Sequence, residues 1–281
     1  MKKIKILALC AIVAGMATSC QKSDVSNEIE QIQPEKATKE VLKALQDAGV
    51  NTSDVTIGMS KGLPGDESIK IAKAGDIGIP VDQLLAGDYA LKQMDDGNKQ
   101  YRTTNLVTGS NRSFRIVGYT GSCCALTSKM QTALQWAVNN YNRLNTSINI
   151  TLVFSSSFTN SDMVVYNNGA AGGGGSAGFP SGGEVFKRVQ INAGTDSFST
   201  NVIEHVITHE IGHSIGFRHQ DWQSRQSCGQ NSNEGQAGVG AILIPGTPSS
   251  DTADSIMLAC FSSSEDGEFT STDITAMNAL Y

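Results

Sequence analysis

The sequence lacks a surplus of positive charge: 21 lysine and arginine residues stand against 27 aspartate and glutamate residues, for a net charge of −6. Nucleic-acid-binding proteins need basic side chains to neutralise phosphates, so no nucleic-acid partner is expected. Cysteine is also scarce, with six in 281 residues, whereas 39% of the residues are apolar. The chain is therefore neither a disulfide-stapled peptide nor a disordered tail, and it has room for one or two domains with a hydrophobic core.

The N-terminal apolar run, residues 4–16, is too short to cross a bilayer as a stable helix. It follows two lysines and leads into small residues before Cys20, which is typical of a secretory signal and resembles the lipobox of bacterial lipoproteins. We expect residues 1–20 to be a lipoprotein signal peptide, Cys20 to carry the lipid anchor, and the polar residues 21–33 to form a tether. Ala17 occupies the lipobox position three residues before Cys20, where leucine is usual, so a signal peptide without lipidation is the alternative interpretation. Either leader predicts export, and lipidation predicts an outer-membrane anchor facing the periplasm or the cell surface.

Four cysteines lie beyond the leader: Cys123, Cys124, Cys228 and Cys260. An even number in an oxidising compartment predicts two disulfides. Because the adjacent Cys123 and Cys124 bond each other with difficulty, we expect each to reach Cys228 or Cys260, and the sequence leaves the partner of each open. A catalytic thiol is the alternative.

Residues 34–106 carry no chemistry-bearing motif and are interpreted as an accessory segment or pro-segment, with a short helix over 38–48. From residue 115 the pattern sharpens, and β-branched runs and helical periodicity alternate. Strands are predicted at 115–119, 148–154, 162–166 and 188–192, helices at 127–144 and 200–217, and a glycine-rich loop at 169–183. This order predicts an α+β fold, an α/β sandwich half-domain. A flexible linker is the alternative interpretation of the glycine-rich loop.

The last predicted helix carries a candidate zinc site. His209 and His213 are four residues apart, so a helix places both imidazoles on one face, at a spacing that suits one zinc ion. Glu210 is offset by one residue and can hold a water without ligating. Gly216 can adopt positive φ and turn the chain, which returns His219 as a third ligand. Three protein ligands leave the fourth zinc position for water, as in catalytic rather than structural sites.

Residues 209–219 read His-Glu-x-x-His-x-x-Gly-x-x-His, a pattern that resembles the metzincin clan of zinc endopeptidases. The clan places a methionine in a turn beneath the metal, and Met257 fits that position, a role compatible with ordinary core packing. Within the clan, the chain resembles the bacterial dual-action HEIGH metallopeptidases. The shared stretches are Lys99–Thr104, Gly178–Pro180, His209–His213, Gly216–Asp221, Ile244–Pro248 and Ser255–Met257. The resemblance covers roughly residues 99–281 and implies a metzincin-like catalytic domain over 107–281, with a twisted mixed sheet, an active-site helix and a Met-turn.

The sequence also departs from relatives in the clan. Gln220 stands where other metzincin families place glutamate or proline, and no tyrosine lies two residues past Met257, so a fifth, tyrosine ligand is not supported. His205 lies one turn before His209, but the clan has no place for it as a ligand, so a core or supporting role is expected. Asp221 is either an anchor of the turn or a group that orients a ligand, and Asp254 is expected to be a solvated or turn-capping residue. The acidic residues 265–268 are interpreted as solvated surface that would tolerate calcium.

The resemblance implies roles for the site. Glu210 would act as general base for a zinc-bound water, a substrate strand would pair near residues 177–179, and residues 238–248 would wall a side-chain pocket. Proteases of this clan commonly block the zinc until processed. No cysteine lies between Cys20 and Cys123, which excludes a thiolate block. Asp76 is a candidate replacement, although an ordinary loop aspartate is the simpler interpretation.

The sequence therefore predicts an exported zinc endopeptidase with one catalytic Zn²⁺, which cleaves extracytoplasmic proteins or peptides. A catalytically silent, zinc-containing surface lipoprotein is the main alternative, and the intact Glu210 speaks against it. Zinc hydrolysis of a non-peptide bond is a third possibility. Nothing in the sequence indicates the oligomeric state.

Overall fold

The computed structural model describes residues 35–48, 50–59, 62–65, 68–87, 100–235, 240–248, 250 and 252–281. The predicted signal peptide (1–20), its Cys20 and the predicted tether (21–33) lie outside these residues. Within the described ranges, no helix is both long and apolar enough to span a membrane. Lipidation and export stay predictions.

Residues 35–87 form what we call the N-terminal module. Its antiparallel strands are β1 (Val55–Met59), β2 (Lys70–Ala74) and β3 (Ile77–Pro80), and its helices are α1 (Lys39–Asp47) and α2 (Val81–Ala86). The Thr38 hydroxyl caps α1 by accepting a hydrogen bond from the Val41 amide. Val41 and Leu45 then face the sheet one turn apart and pack in a small core, which is completed by Phe179 from outside the module.

The larger sheet has five strands in the order β6-β5-β7-β9-β8. These strands are β5 (Ser113–Tyr119), β6 (Asn149–Ser155), β7 (Met163–Asn167), β8 (Gly175–Ser176) and β9 (Arg188–Ile191). Four of them are parallel, and the edge strand β8 is antiparallel to β9. Each predicted strand is present, and the glycine-rich loop contributes β8 rather than serving only as a linker.

Helices α3 (Ser128–Asn142) and α4 (Thr200–Ile215) pack on one face of this sheet, and α5 (Ser271–Leu280) follows at the C-terminus. Ile116, Met163 and Val165 of the sheet share one core with Ile207 and Ile211 of α4. This arrangement, with a mixed sheet and helices that bury an apolar side against it, confirms the predicted α+β class.

A short ladder connects the N-terminal end of the larger part to the chain beyond α4. Strand β4 (Tyr101–Arg102) pairs with β10 (Ile242–Leu243), and the Gln100 side chain donates to Ser255 and Asp273. Residues 100–103 are thus built into the larger part of the molecule.

The predicted cysteine pairing is wrong. Cys228 and Cys260 form a disulfide with each other, while the Sγ atoms of Cys123 and Cys124 lie side by side, 2.6 Å apart. Cys124 packs with Tyr119 and Tyr166 on the sheet face opposite α3 and α4. Neither of the adjacent thiols therefore reaches the segments that follow α4.

Candidate metal centre and active site

Helix α4 is built to bury a polar site. Ser199 caps its first turn by accepting from the Val202 amide, and every side chain from Val202 to Ile215 is buried. Gly216 ends the helix at φ 118°, and a Cβ there would lie 2.7 Å from Leu106 Cδ2. Only glycine combines this dihedral with this close approach, so the position of the turn is fixed by one residue.

The chain turns back toward α4 after Gly216 because it forms hydrogen bonds with β4 and the residue that follows it. The Thr103 amide donates to the Gly216 carbonyl at 2.7 Å, and the Arg218 amide donates to the Tyr101 carbonyl at 2.9 Å. These bonds place His219 opposite the two helical histidines.

The three imidazoles converge through their Nε2 atoms. His219 Nε2 lies 3.0 Å from His213 Nε2 and 3.2 Å from His209 Nε2. Zinc bound tetrahedrally at about 2.0–2.1 Å holds its nitrogen ligands about 3.3 Å apart. The observed spacing fits that ion closely.

A hydrogen bond on each Nδ1 atom directs the Nε2 lone pairs toward one point. His209 Nδ1 donates to the Ile256 carbonyl at 2.6 Å, and His213 Nδ1 donates to the Phe217 carbonyl at 2.8 Å. His219 Nδ1 instead faces a carboxylate, Glu234 Oε2, at 2.6 Å. Such partners fix the ring orientation and the tautomer of metal-binding histidines.

Asp76, on the turn between β2 and β3, joins the three histidines. Its Oδ2 lies 3.1 Å from His219 Nε2 and 3.4 Å from His209 Nε2, and one atom from each of the four residues falls within a 4.8 Å cluster. Burial raises the pKa of Asp76, but the charge on His219 and hydrogen bonds from the histidines outweigh it and hold this pKa well below its usual range. The sequence singled out Asp76, and the structure brings it to the candidate metal centre.

The charges of the cluster are those of a cation site. Burial lowers the pKa of His219, but Asp76 and Glu234 raise it to about 10, whereas burial and the neighbouring histidines lower the pKa of His213. Because the carboxylates of Asp76 and Glu234 both face the buried His219 ring, a positive charge is stabilised at this point. Three imidazole nitrogens and one carboxylate oxygen are a donor set that suits Zn²⁺.

Glu210 lies beside this cluster and is fully buried. Its Oε2 has no hydrogen-bond partner among the described residues, and a Cβ on Gly175 of β8 would lie 2.8 Å from its Oε1. Burial, reinforced by the negative charge of Asp76, raises the pKa of Glu210 well above its ordinary value. A carboxylate in such surroundings is suited to accept a proton.

Met257 packs directly under the helix. Its Sδ would lie 2.7 Å from a Cβ placed on Gly212, so this glycine allows the close contact. The turn is held by Asp273, whose carboxylate accepts from the Ser255 hydroxyl and the Ile256 amide. Asp254 opens the turn at φ 63°.

The remaining candidates play other parts. Asp221 accepts from the Ser227 amide and hydroxyl and from the Ala259 amide, and it so joins the segments that carry Cys228 and Cys260. His205 lies outside the metal cluster, and burial lowers its pKa to about 3, so its ring is neutral.

Glu234 is the residue that the sequence analysis missed. It lies 15 residues beyond His219 in a polar, glycine-containing segment. Such a segment gives no periodic signal of burial, and no motif singles this glutamate out.

A cavity of about 300 Å³ opens beside Glu210 and His209. Its walls come from β8 and the glycines before it, from His205 and Val206 of α4, and from residues 258–261. None of the described residues 240–248 lines this cavity, and β10 within that stretch pairs with β4. The pocket wall at 238–248 stays a prediction.

The N-terminal module occupies the edge of the larger sheet, at the predicted substrate strand. The Ala177 amide donates to the Asp76 carbonyl at 3.1 Å, and the Gly78 amide donates to the Ala177 carbonyl at 2.8 Å. Ile77 and Ala177 form a parallel bridge. The backbone from the Asp76 carbonyl to Gly78 thus pairs with the edge that is predicted to bind an extended peptide.

Comparison with known proteins adds a family match. The family model described as dual-action HEIGH metallo-peptidase matches residues 75–281. A crystal structure of myroilysin is similar at 19% identity, covering 62% of this chain and 86% of that one, with a TM-score of 0.38. Another structure of myroilysin gives 17% identity, 63% and 96% coverage, and a TM-score of 0.36. No curated protein matches.

Proposed function

Because the chain belongs to the dual-action HEIGH metallopeptidase family, we propose that it is a zinc-dependent endopeptidase in which Glu210 is the general base. The observation that carries this proposal is the convergence of the Nε2 atoms of His209, His213 and His219 beside the buried Glu210 carboxylate. Each histidine has its Nδ1 already satisfied, so all three rings are oriented for a metal.

Bound zinc would lower the pKa of a water and polarise the scissile carbonyl. The chain supplies the proton transfers: Glu210 takes a proton from the attacking water and delivers it to the leaving nitrogen. Its raised pKa suits both steps, since a carboxylate with an ordinary pKa is a poor proton donor near neutral pH. The cavity beside Glu210 provides room for a substrate side chain next to the scissile bond.

We further propose that the N-terminal module keeps the enzyme latent. Asp76 Oδ2 takes the fourth donor position, where the reacting water belongs, and residues 76–78 pair with the edge at Ala177 that a substrate would use. One module therefore blocks both the metal and the peptide-binding edge. The contacts of Asp76 with the histidines and of residues 76–78 with Ala177 support this proposal.

Export and extracytoplasmic substrates are also part of the proposal. The leader at residues 1–20 supports them, as does the Cys228–Cys260 disulfide, because disulfides persist in oxidising compartments. A membrane anchor through Cys20 is proposed on the lipobox alone.

The test compares three forms of the full chain: the wild type, Asp76→Ala, and Asp76→Ala combined with Glu210→Gln. Each is incubated with an unbiased peptide mixture, and its zinc content is measured in parallel. We expect cleavage in Asp76→Ala and a loss of about 100-fold or more when Glu210 is changed, with zinc retained. Glu40→Gln, an exposed change on α1, is the matched control: combined with Asp76→Ala in place of Glu210→Gln, it should leave cleavage unaltered.

Two outcomes would contradict the proposal. Full zinc occupancy without cleavage in any form would favour the silent binding lipoprotein. Loss of zinc upon Glu210→Gln would make Glu210 part of the metal site rather than the base.

A further inference from the structure

The third histidine is supported differently from the other two. His209 and His213 are oriented by α4, and their Nδ1 atoms donate to backbone carbonyls. His219 lies in an irregular segment, and its Nδ1 meets the carboxylate of Glu234. The histidine outside the helix is thus the one with a charged partner.

Both oxygens of Glu234 have partners. Oε2 lies 2.6 Å from His219 Nδ1, and Oε1 accepts from Arg218 Nη2 at 2.7 Å. Only 6% of the Glu234 side chain is exposed, and Arg218 is fully buried. If this buried carboxylate moved to another rotamer, it would leave the buried Arg218 guanidinium without its negative partner.

Arg218 is itself fixed. Its guanidinium donates to the carbonyls of Gly235, at 2.7 Å, and Gly240, at 3.2 Å, and it lies 5.5 Å above the ring of Phe179. The arginine, the glutamate and the histidine therefore form one connected chain of contacts that ends at the metal-facing Nε2.

The N-terminal module hydrogen-bonds to the segment that carries Glu234. The Asn51 amide donates to the Glu234 carbonyl at 3.2 Å, and the Asn51 side chain donates to the Asn233 carbonyl at 2.8 Å. Val50 forms a bridge with Gly235. The backbone that carries Glu234 is held on both sides.

We propose that Glu234 is a positioning residue that aims His219 at the metal and strengthens zinc binding through its negative charge. This rests on the proposed zinc site. The Glu234 carboxylate orients the His219 ring and makes its Nε2 a stronger zinc ligand. Its negative charge also offsets one of the two positive charges that three neutral imidazoles would leave on bound zinc. Glu234 touches neither substrate nor metal.

The test measures zinc affinity, by competition with a chelator, and the rise in Tm on adding zinc, both with the full chain. Glu234→Gln keeps the shape and removes the charge. We expect a 10- to 100-fold loss of zinc affinity and a smaller zinc-dependent rise in Tm. Glu234→Asp retains the charge beside Arg218 but retracts the carboxylate from His219, so it should also lose affinity and serves if the glutamine variant does not fold.

Asp221→Asn is the matched control. Asp221 is also a buried carboxylate in the same segment, and its hydrogen bonds go to Ser227 and Ala259 rather than to a histidine. We expect it to lower the Tm of the metal-free chain while zinc affinity stays within about twofold of wild type. A purely structural Glu234 would behave in the same way as this control.

The outcomes separate the two proposals. Unchanged zinc affinity in both Glu234 variants would overturn the positioning role and leave the proposed function standing. A wild-type chain that binds no zinc would overturn the proposed function and this inference with it.

Discussion

The metal centre is built from two parts of the molecule that hold their ligands with different firmness. His209 and His213 project from α4, which is buried from Val202 to Ile215. Asp76 projects from a two-residue turn at the end of a hairpin, and its Oδ1 has no hydrogen-bond partner among the residues described. The histidine side chains are at most 8% exposed, whereas that of Asp76 is 18% exposed.

The two parts also differ in the size of their hydrophobic cores, and the part that carries Asp76 has the smaller one. The larger part shares one extensive core among α3, α4, α5 and the sheet. The N-terminal module has a small core that needs Phe179 from the larger part. The three histidines therefore lie on the more extensively packed part of the molecule, and Asp76 lies on the less extensively packed part, as the proposed latency requires.

The largest effect is expected from removing the Asp76 carboxylate, which lies against the histidine cluster. We predict that Asp76→Ala in the full chain raises peptidase activity at least about 100-fold, because a carboxylate no longer occupies the fourth ligand position. Initial rates on a quenched peptide substrate measure the change. Asp82→Ala, an exposed change in the same module, is the control. Equal activities in wild type and Asp76→Ala would show that the carboxylate does not maintain latency.

A second prediction concerns two glycines that end helices at positive φ. A Cβ on Gly216 would meet Leu106 and the Asn105 carbonyl, whereas a Cβ on Gly87, at the end of α2, would meet nothing within 4 Å. We expect Gly216→Ala to lower the free energy of unfolding by about 3 kcal/mol and Gly87→Ala by about 1 kcal/mol, since only the first adds a clash to the dihedral strain. Denaturant unfolding measures both, and equal losses would contradict the crowding at α4.

A third prediction concerns metal removal. Chelation should speed hydrogen exchange at the Gly78 amide, which bonds across to Ala177, by about tenfold, because the metal no longer links Asp76 to the histidines. The Val50 amide bonds to Leu45 within the N-terminal module and should keep its rate. Exchange followed by mass spectrometry distinguishes the two. A joint acceleration would mean that the module unfolds, and no acceleration would mean that metal does not fasten it.

The parts of this arrangement that the sequence predicted are those with local causes. The spacing of His209 and His213 follows from helix geometry, and the turn at Gly216 follows from the dihedral freedom of glycine. The four parallel strands of the larger sheet were predicted from β-branched runs, whereas β8 lies in the glycine-rich loop.

What escaped the sequence depends on contacts between distant segments. The contact of Glu234 with His219 forms across a polar segment without periodicity, and the Cys228–Cys260 pairing depends on how Asp221 gathers two loops. Asp76 could be nominated from its chemistry alone, but its place at the metal depends on the docking of a whole module on β8 and Phe179.

The smallest effect should come from Glu204, which tests the rigid part alone. This buried carboxylate on α4 accepts from Asn140, but burial and the nearby Glu268 raise its pKa from 4.5 to about 7. The folded chain therefore binds this proton more tightly than the unfolded chain, so the stabilisation is complete below pH 4.5 and is lost as the pH rises through about 7.

Glu204→Gln keeps the hydrogen-bond acceptor without the charge. We expect it to match wild type near pH 4 and to exceed its stability by about 1–2 kcal/mol at pH 8, measured by denaturant unfolding. Glu40→Gln, at the exposed start of α1, should show no such divergence. A Glu204→Gln variant that is less stable than wild type at pH 8 would mean that the ionised carboxylate is stabilising, and that α4 tolerates charge beside the metal centre better than its burial implies.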